Sequence, residues 1–338
     1  IPGLKHKPVH ATLYAVPGLA MDLQLIDWRN TSTIAEEAKY QNLEYAEKAY
    51  EIFVQDLKES ATARACIFGT IHTDATLLLM DKLEKSGIKA YVGKVNMDRN
   101  CPEYLCEESA EKAAGETERW LMSAAKYEHV KPILTPRFTP CCSDELFEKL
   151  SALQKKHQVP VQSHLSENLS EIEWVKELCP GVNSYGESYD RYGLFGTDCP
   201  VVMAHCVHSS EEEIELMKKQ NVFAAHCPES NANLSSGVAP VKLYLKKGMK
   251  AGLGSDIAAG SSLSIFKAMA MAVQCSKLRW RLYDQSEEPL TMEEAFYLAT
   301  KGGGEFFGRA GSFEAGYEFD AVVLDDASIR SPYELDLK

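Results

Sequence analysis

Long hydrophobic runs are missing from this chain of 338 residues, and with them any predicted spanning helix, which needs roughly 20 apolar residues in a row. Cationic excess is missing too. Thirty-six Lys and Arg stand against 49 Asp and Glu, a net charge of −13, which argues against a nucleic-acid backbone or an anionic membrane surface as partner. Among the ten cysteines there is no Cys-x-x-Cys pair, and a chain this long needs no disulfide framework, so thiols in a reducing cytoplasm are expected. No low-complexity run, Pro/Gly linker or short-period repeat divides the chain. No secretory signal opens it either; Ile1-Pro2-Gly3 starts abruptly, as though a segment preceded it.

What is present is an alternation. Hydrophobic residues make up 45% and charged residues 25%, an ordinary globular balance. Short apolar stretches at 63–68, 90–94, 132–135, 159–162, 201–204, 222–225 and 250–255 read as strands, and 9–14 as a poorer one. Each leads towards an amphipathic helix, including long ones at about 33–57, 109–126 and 143–157. About eight strands that each feed a helix make the (β/α)8 count, so the fold class expected is α/β, a TIM-like barrel. The expected division is a catalytic barrel over 1–312, then one or more strands of a small β-layer in 313–338, with 319–324 as the strand and the N-terminal part of that layer absent.

In such barrels chemistry gathers at the carboxyl ends of the strands. His164, followed by Glu167, then His205, His226 and Asp256 all stand at or just after strand ends. Any one alone is more often a structural residue than a functional one. Four in phase with successive strands converge on one mouth, where nitrogen and oxygen donors suit zinc or iron and a carboxylate can move protons of a bound water. Arg137-Phe138 could hold the carbonyl and face of a planar ring. His72 and Asp74 end the second strand, with a loop-tethering role as plausible as a direct one. Asn231 and Asn233 read as loop ties. His6, His129, His157 and His208 read as structural. No His-x-Glu precedes a Pro-Cys-x-x-Cys, so a cysteine-ligated nucleobase deaminase is not built here.

Several motifs, taken jointly and in order, resemble the guanine deaminases, a family in the metal-dependent deaminase branch of the amidohydrolase superfamily. They are Gly69-Thr70-Ile71-His72-Thr73-Asp74, Thr135-Pro136-Arg137-Phe138, Gln162-Ser163-His164-Leu165-Ser166-Glu167, Ala204-His205-Cys206, Ala225-His226-Cys227-Pro228 and Gly252-Leu253-Gly254-Ser255-Asp256. The resemblance implies a barrel of the amidohydrolase type that hydrolyses guanine to xanthine and ammonia by a metal-bound hydroxide. It implies one zinc ion, with iron(II) the alternative, on His10, His164 and Asp256. Glu167 would be the proton shuttle, His205 would polarise the purine, and Asp256 would share in catalysis. Arg137, Phe138, Trp28 and His205 would contact the base. A cytoplasmic homodimer with a small purine as its partner follows from the same likeness. Alternatives are a deaminase of another amino-purine or pterin, and a purine-binding relative that lacks a full metal site. The last is raised by the first strand. The family pattern Pro-Gly-Leu-x-Asp-x-His-x-His-Ala appears here as Pro2-Gly3-Leu4-Lys5-His6-Lys7-Pro8-Val9-His10-Ala11, with Pro8 in place of a ligand histidine, and Leu13 stands where the family has a glutamine. His6 is no substitute, since four residues along a strand span ~13 Å.

Overall fold

The computed structural model describes residues 1–196, 199–325 and 332. Two four-stranded parallel sheets form its centre. The first holds β1 (Leu4–His10), β2 (Thr62–Phe68), β3 (Lys89–Gly93) and β4 (Val130–Pro132); the second holds β5 (Val161–Leu165), β6 (Val201–His205), β7 (Phe223–His226) and β8 (Ala251–Leu253). One seam between them closes through Leu134, whose N–H donates to the Pro160 carbonyl while its own carbonyl accepts from Gln162, both at 2.9 Å. The other closes where the Asp256 N–H donates to the Pro8 carbonyl at 3.2 Å. The result is the expected (β/α)8 barrel, with all eight carboxyl ends on one side.

Gly254 makes the second seam possible. A Cβ at that position would lie 1.6 Å from the Lys7 carbonyl oxygen and 2.6 Å from the Pro8 nitrogen, so only a residue without a side chain lets β8 run that close to β1.

Helices cover the outside. Several begin on a side-chain cap, each worth ~1 kcal/mol: Ser109 before Ala110–Ala124, Ser143 before Asp144–His157 and Ser210 before Glu211–Lys219. Asn168 and Glu171 form a reciprocal capping box at the start of Leu169–Leu178, which fixes the turn that follows β5. Among the described residues, no helix is long and apolar enough to cross a membrane.

Four expectations change. The first strand is Leu4–His10 and not 9–14, because the polar run that disguised it is wholly buried and partnered. Lys5 pairs with Asp320 at 2.7 Å, His6 lies 2.6 Å from the Ser255 hydroxyl, and Lys7 sits over the rings of Phe223, Phe306 and Phe307. The helix expected over 33–57 is two helices, Ile34–Ala38 and Leu43–Glu59, since Asn42 caps the second by accepting from the Glu44 N–H. The tail at 319–324 is not a strand; it makes one antiparallel bridge, Ala321 to Pro2. The rest of the 313–338 region, at 326–331 and 333–338, lies outside the described residues. Finally, Cys101 and Cys106 form a disulfide across the short helical turn Glu103–Leu105, which brings their Cα atoms to 5.5 Å. Thiols are retained elsewhere, for example at the buried Cys66, Cys141 and Cys206.

Two glycines test the packing. Gly254→Ala should destabilise the fold by ~1–3 kcal/mol or more through overpacking at the seam. Gly115, inside Ala110–Ala124, has open space where a Cβ would stand, with nothing within 4 Å, and should gain ~0.5–1 kcal/mol on replacement by Ala. Urea unfolding of the two variants measures both signs.

Candidate active site

At the carboxyl mouth, the strand ends bring together side chains from opposite ends of the chain. His10 Nε2 lies 3.2 Å from His164 Nε2 and 3.4 Å from Asp256 Oδ1. The potential ligand atoms of His10, His164 and Asp256 all lie within 4.8 Å of one another. His205 Nε2 stands 3.3 Å from Glu167 Oε2 and 3.8 Å from Asp256 Oδ2. The rings of His10, His164 and His205 stack in series, with centroids 5.3 Å and 5.5 Å apart.

Each of these groups is held from behind. His164 Nδ1–H donates to the Arg137 carbonyl at 2.7 Å, which leaves its Nε2 lone pair facing His10. His205 Nδ1–H donates to Asn231 Oδ1 at 2.8 Å. The Ser230 hydroxyl donates to Asp256 Oδ2 at 2.7 Å. Ser166, His205, Cys206 and Asp256 occupy the left-handed backbone region, with φ of 46°, 73°, 49° and 52°. Such conformations cost non-glycine residues energy and persist where the surroundings over-determine them.

Burial sets the protonation states. Desolvation, with His205 nearby, lowers His164 to a pKa of about 3, and desolvation with His164 beside it takes His10 well below its ordinary value. Both imidazoles are therefore neutral and able to donate a lone pair. Desolvation, reinforced by the Asp256 and Glu171 carboxylates, raises Glu167 well above the usual carboxylate range, as suits a group that accepts and returns a proton. Two neutral imidazole nitrogens and one carboxylate oxygen converge, and among the described residues His10 Nε2 and His164 Nε2 face only this cluster, a donor set that fits a divalent cation of the zinc or iron type.

One cavity is lined by His10, His164, Glu167, His205, Asp256, Arg137, Phe138 and Trp28. Leu13, Leu25, Ile26, Leu234 and Ile257 supply an apolar lining. Pro8 is buried in β1, and His6 is engaged with Ser255, away from the cluster. His226 ends β7, buried, but does not line the cavity. His72 and Asp74 lie outside it as well; Asp74 pairs with Arg119 at 2.9 Å on the surface.

Sequence reading missed several members. Glu37, only 1% exposed, accepts from Arg137 Nη1, and Arg29 lines the cavity beside Phe138. Neither belongs to a motif; both come from the covering segment between β1 and Leu43–Glu59. Asn231, read as a loop tie, orients His205 instead, whereas Asn233 does tie its loop, to the Ala259 carbonyl at 2.7 Å.

Residues 9–337 match the family described as Amidohydrolase family. The guanine deaminase of Rattus norvegicus is 41% identical over 342 residues, covering 99% of this chain and 74% of that protein. The guanine deaminase of Escherichia coli (strain K12) is 34% identical over 330 residues, covering 96% and 72%. A crystal structure of guanine deaminase from C. acetobutylicum, with guanine bound in its active site, superposes with a TM-score of 0.92 at 50% identity, covering 95% of this chain and 76% of that one.

Removing the Glu37 carboxylate should expose what it balances. Glu37→Ala leaves the Arg137 guanidinium buried without a counter-ion, and breaking a buried pair costs ~3–5 kcal/mol. A loss of that order in denaturant unfolding is expected, against little change for Glu44→Ala, whose pair with Lys48 is exposed.

Proposed function

The chain belongs to the amidohydrolase family and, within it, to the guanine deaminases, and from this we infer that it hydrolyses guanine to xanthine and ammonia. The observation that carries the reading is the convergence of His10, His164, Asp256, Glu167, His205 and Arg137 on one apolar-walled cavity, in a chain half identical to a structure that holds guanine.

His10, His164 and Asp256 would hold one metal ion, for which zinc is the proposal and iron(II) fits the same donors. When bound, such an ion lowers the pKa of a water and so makes a nucleophile available near neutral pH. Glu167 takes a proton from the attacking water and returns it to the departing amino nitrogen, for which its raised pKa suits it. Asp256 shares in holding that proton, with Ser230 fixing its second oxygen. His205, oriented by Asn231, presents Nε2 to the ring and polarises it. Arg137 holds the ring carbonyl and Phe138 and Trp28 line the base. The Trp28 indole is itself pinned, donating to the Leu19 carbonyl at 2.9 Å.

The remaining parts of the proposal concern setting. We assign 1–312 to the catalytic barrel and 313–338 to a separate C-terminal part, whose described residues Glu318 and Asp320 dock on the barrel strand β2 through Arg64, at 2.8 Å and 2.6 Å. A homodimer is proposed, supported by the exposed apolar Leu278, Leu282 and Tyr283 at the end of helix Ile265–Leu282. A cytoplasmic location is proposed on the buried thiols, with the Cys101–Cys106 disulfide, a bond rare in reducing compartments, pointing the other way.

Two measurements test the function. Guanine should be turned over far faster than adenine, which presents an amino group where guanine has its carbonyl and leaves Arg137 unpaired. Arg137→Ala should lower kcat/KM for guanine by roughly 100-fold, while Arg281→Ala on the surface leaves it unchanged. Equal rates on both purines would count against the assignment. Separately, metal per chain should fall when the purified protein is dialysed against a chelator, recover with zinc, and stay low in His164→Ala. Retention of metal by that variant would remove His164 from the ligand set.

A further inference from the structure

The wall of the base pocket holds a second guanidinium that the chemistry above leaves unused. Arg29 lines the same cavity as Arg137, Phe138 and His164 and is 7% exposed. It is rigidly placed. Its Nη1 donates to Asn30 Oδ1 at 3.2 Å, its Nη2 to the Asn100 carbonyl at 3.3 Å and to Cys141 Sγ at 3.0 Å, and its guanidinium carbon lies 5.4 Å from the centroid of Phe138.

What it lacks is compensation. Its Nε has no hydrogen-bond partner among the described residues, and its contacts are all to neutral acceptors. Glu37, the buried carboxylate in the same wall, is committed to Arg137. Burial, with Arg137 beside it, holds the Arg29 guanidinium below its ordinary pKa. A cation buried without a carboxylate is costly, and a protein retains one most readily where a ligand brings the acceptor.

Resting on the guanine reading, we propose that Arg29 is a specificity-determining residue whose guanidinium donates, alongside Arg137, to the ring carbonyl of the purine. A carbonyl oxygen has two lone pairs and can accept from two donors at once. Two guanidiniums in one wall, only one of them paired with a carboxylate, favour a ring that presents an acceptor and oppose one that presents an amino group. Phe138 serves both, since the ring that lines the base also supports the face of Arg29.

The test compares the unaltered chain with Arg29→Met and Arg29→Lys, each metal-loaded, for kcat and KM on guanine, Tm, and inhibition by 2-aminopurine, which keeps the ring and its amino group but lacks the carbonyl. Arg29→Met should raise KM for guanine roughly 10–100-fold, the scale of a lost charged hydrogen bond, with a smaller change in kcat. Its Tm should hold or rise, because an unbalanced buried cation is gone. Arg29→Lys, which keeps the charge without the fork, should fall between. The inhibition constant of 2-aminopurine should stay within twofold, or ~0.4 kcal/mol. An unchanged KM for guanine, with or without a lower Tm, would overturn the proposal and leave Arg29 a packing residue. Equal losses for guanine and 2-aminopurine would overturn it as well. Calorimetry with guanine separates this from failure of the deaminase reading. An inactive chain that binds guanine and loses that affinity in Arg29→Met would sink the catalytic reading and support this one; a chain that does not bind guanine would overturn both.

Discussion

The hydrogen bond from the Asp256 amide to the Pro8 carbonyl joins the last strand of the barrel to the first, and the geometry of the site depends on that junction. It sets Asp256 beside His10, residues that are remote in sequence and 3.4 Å apart in space. Gly254 allows β8 to press against Lys7 and Pro8, which brings the end of that strand beside the end of the first. His164 then meets His10 from across the barrel, through the strand order of the second sheet and the bridge from Leu134 to Val161.

Placing that many polar groups in a buried mouth is unfavourable in itself, and the structure offsets the cost one group at a time. Arg137 shows how closely the parts are linked. Its carbonyl orients the ring of His164, and its guanidinium, fixed by Glu37, lines the cavity. A single residue therefore couples the ligand cluster to the base pocket. Glu171 is similarly shared: its carboxylate caps the turn after β5 by accepting from the Glu167 and Asn168 amides and from the Tyr185 hydroxyl, and its charge raises Glu167 further. The left-handed backbone at His205 and Asp256 is held in place in the same way, by Asn231 and Ser230.

The segment that covers the cavity is helical in short pieces. Leu25, Ile26, Trp28, Arg29 and Thr33 line the cavity, while Glu37, in the helix Ile34–Ala38 that follows, reaches Arg137. Below them, Cys101 and Leu105 from the disulfide-closed turn pack into one apolar cluster with Ile34, Met97, Phe138 and Cys141. The cavity is thus covered by helical pieces of only four or five residues, Leu25–Trp28, Arg29–Thr33 and Ile34–Ala38, too short for a periodic pattern in the sequence to place their side chains.

Strand and helix identity, and the residues of the strand ends, can be read from the chain alone, because both follow local rules. Period-2 and period-3.6 patterns mark the elements, caps such as Ser143 and Asn168 mark their starts, and polar residues at the ends of apolar strands stand out as exceptions. Hence His164, Glu167, His205 and Asp256 are legible, and family likeness adds Arg137, Phe138, Trp28 and His10. The first strand escapes such reading because Lys5, His6 and Lys7 look solvated in sequence and are buried in the fold, each satisfied by a partner more than two hundred residues away: Asp320, Ser255 and the Gly303 carbonyl. Glu37 opposite Arg137, Arg29 over Phe138 and Asn231 behind His205 are likewise pairings between distant segments. Strand pairing and the packing of the covering helices on the mouth bring those segments together, so the residues that hold the site's side chains in place were decided by the tertiary structure.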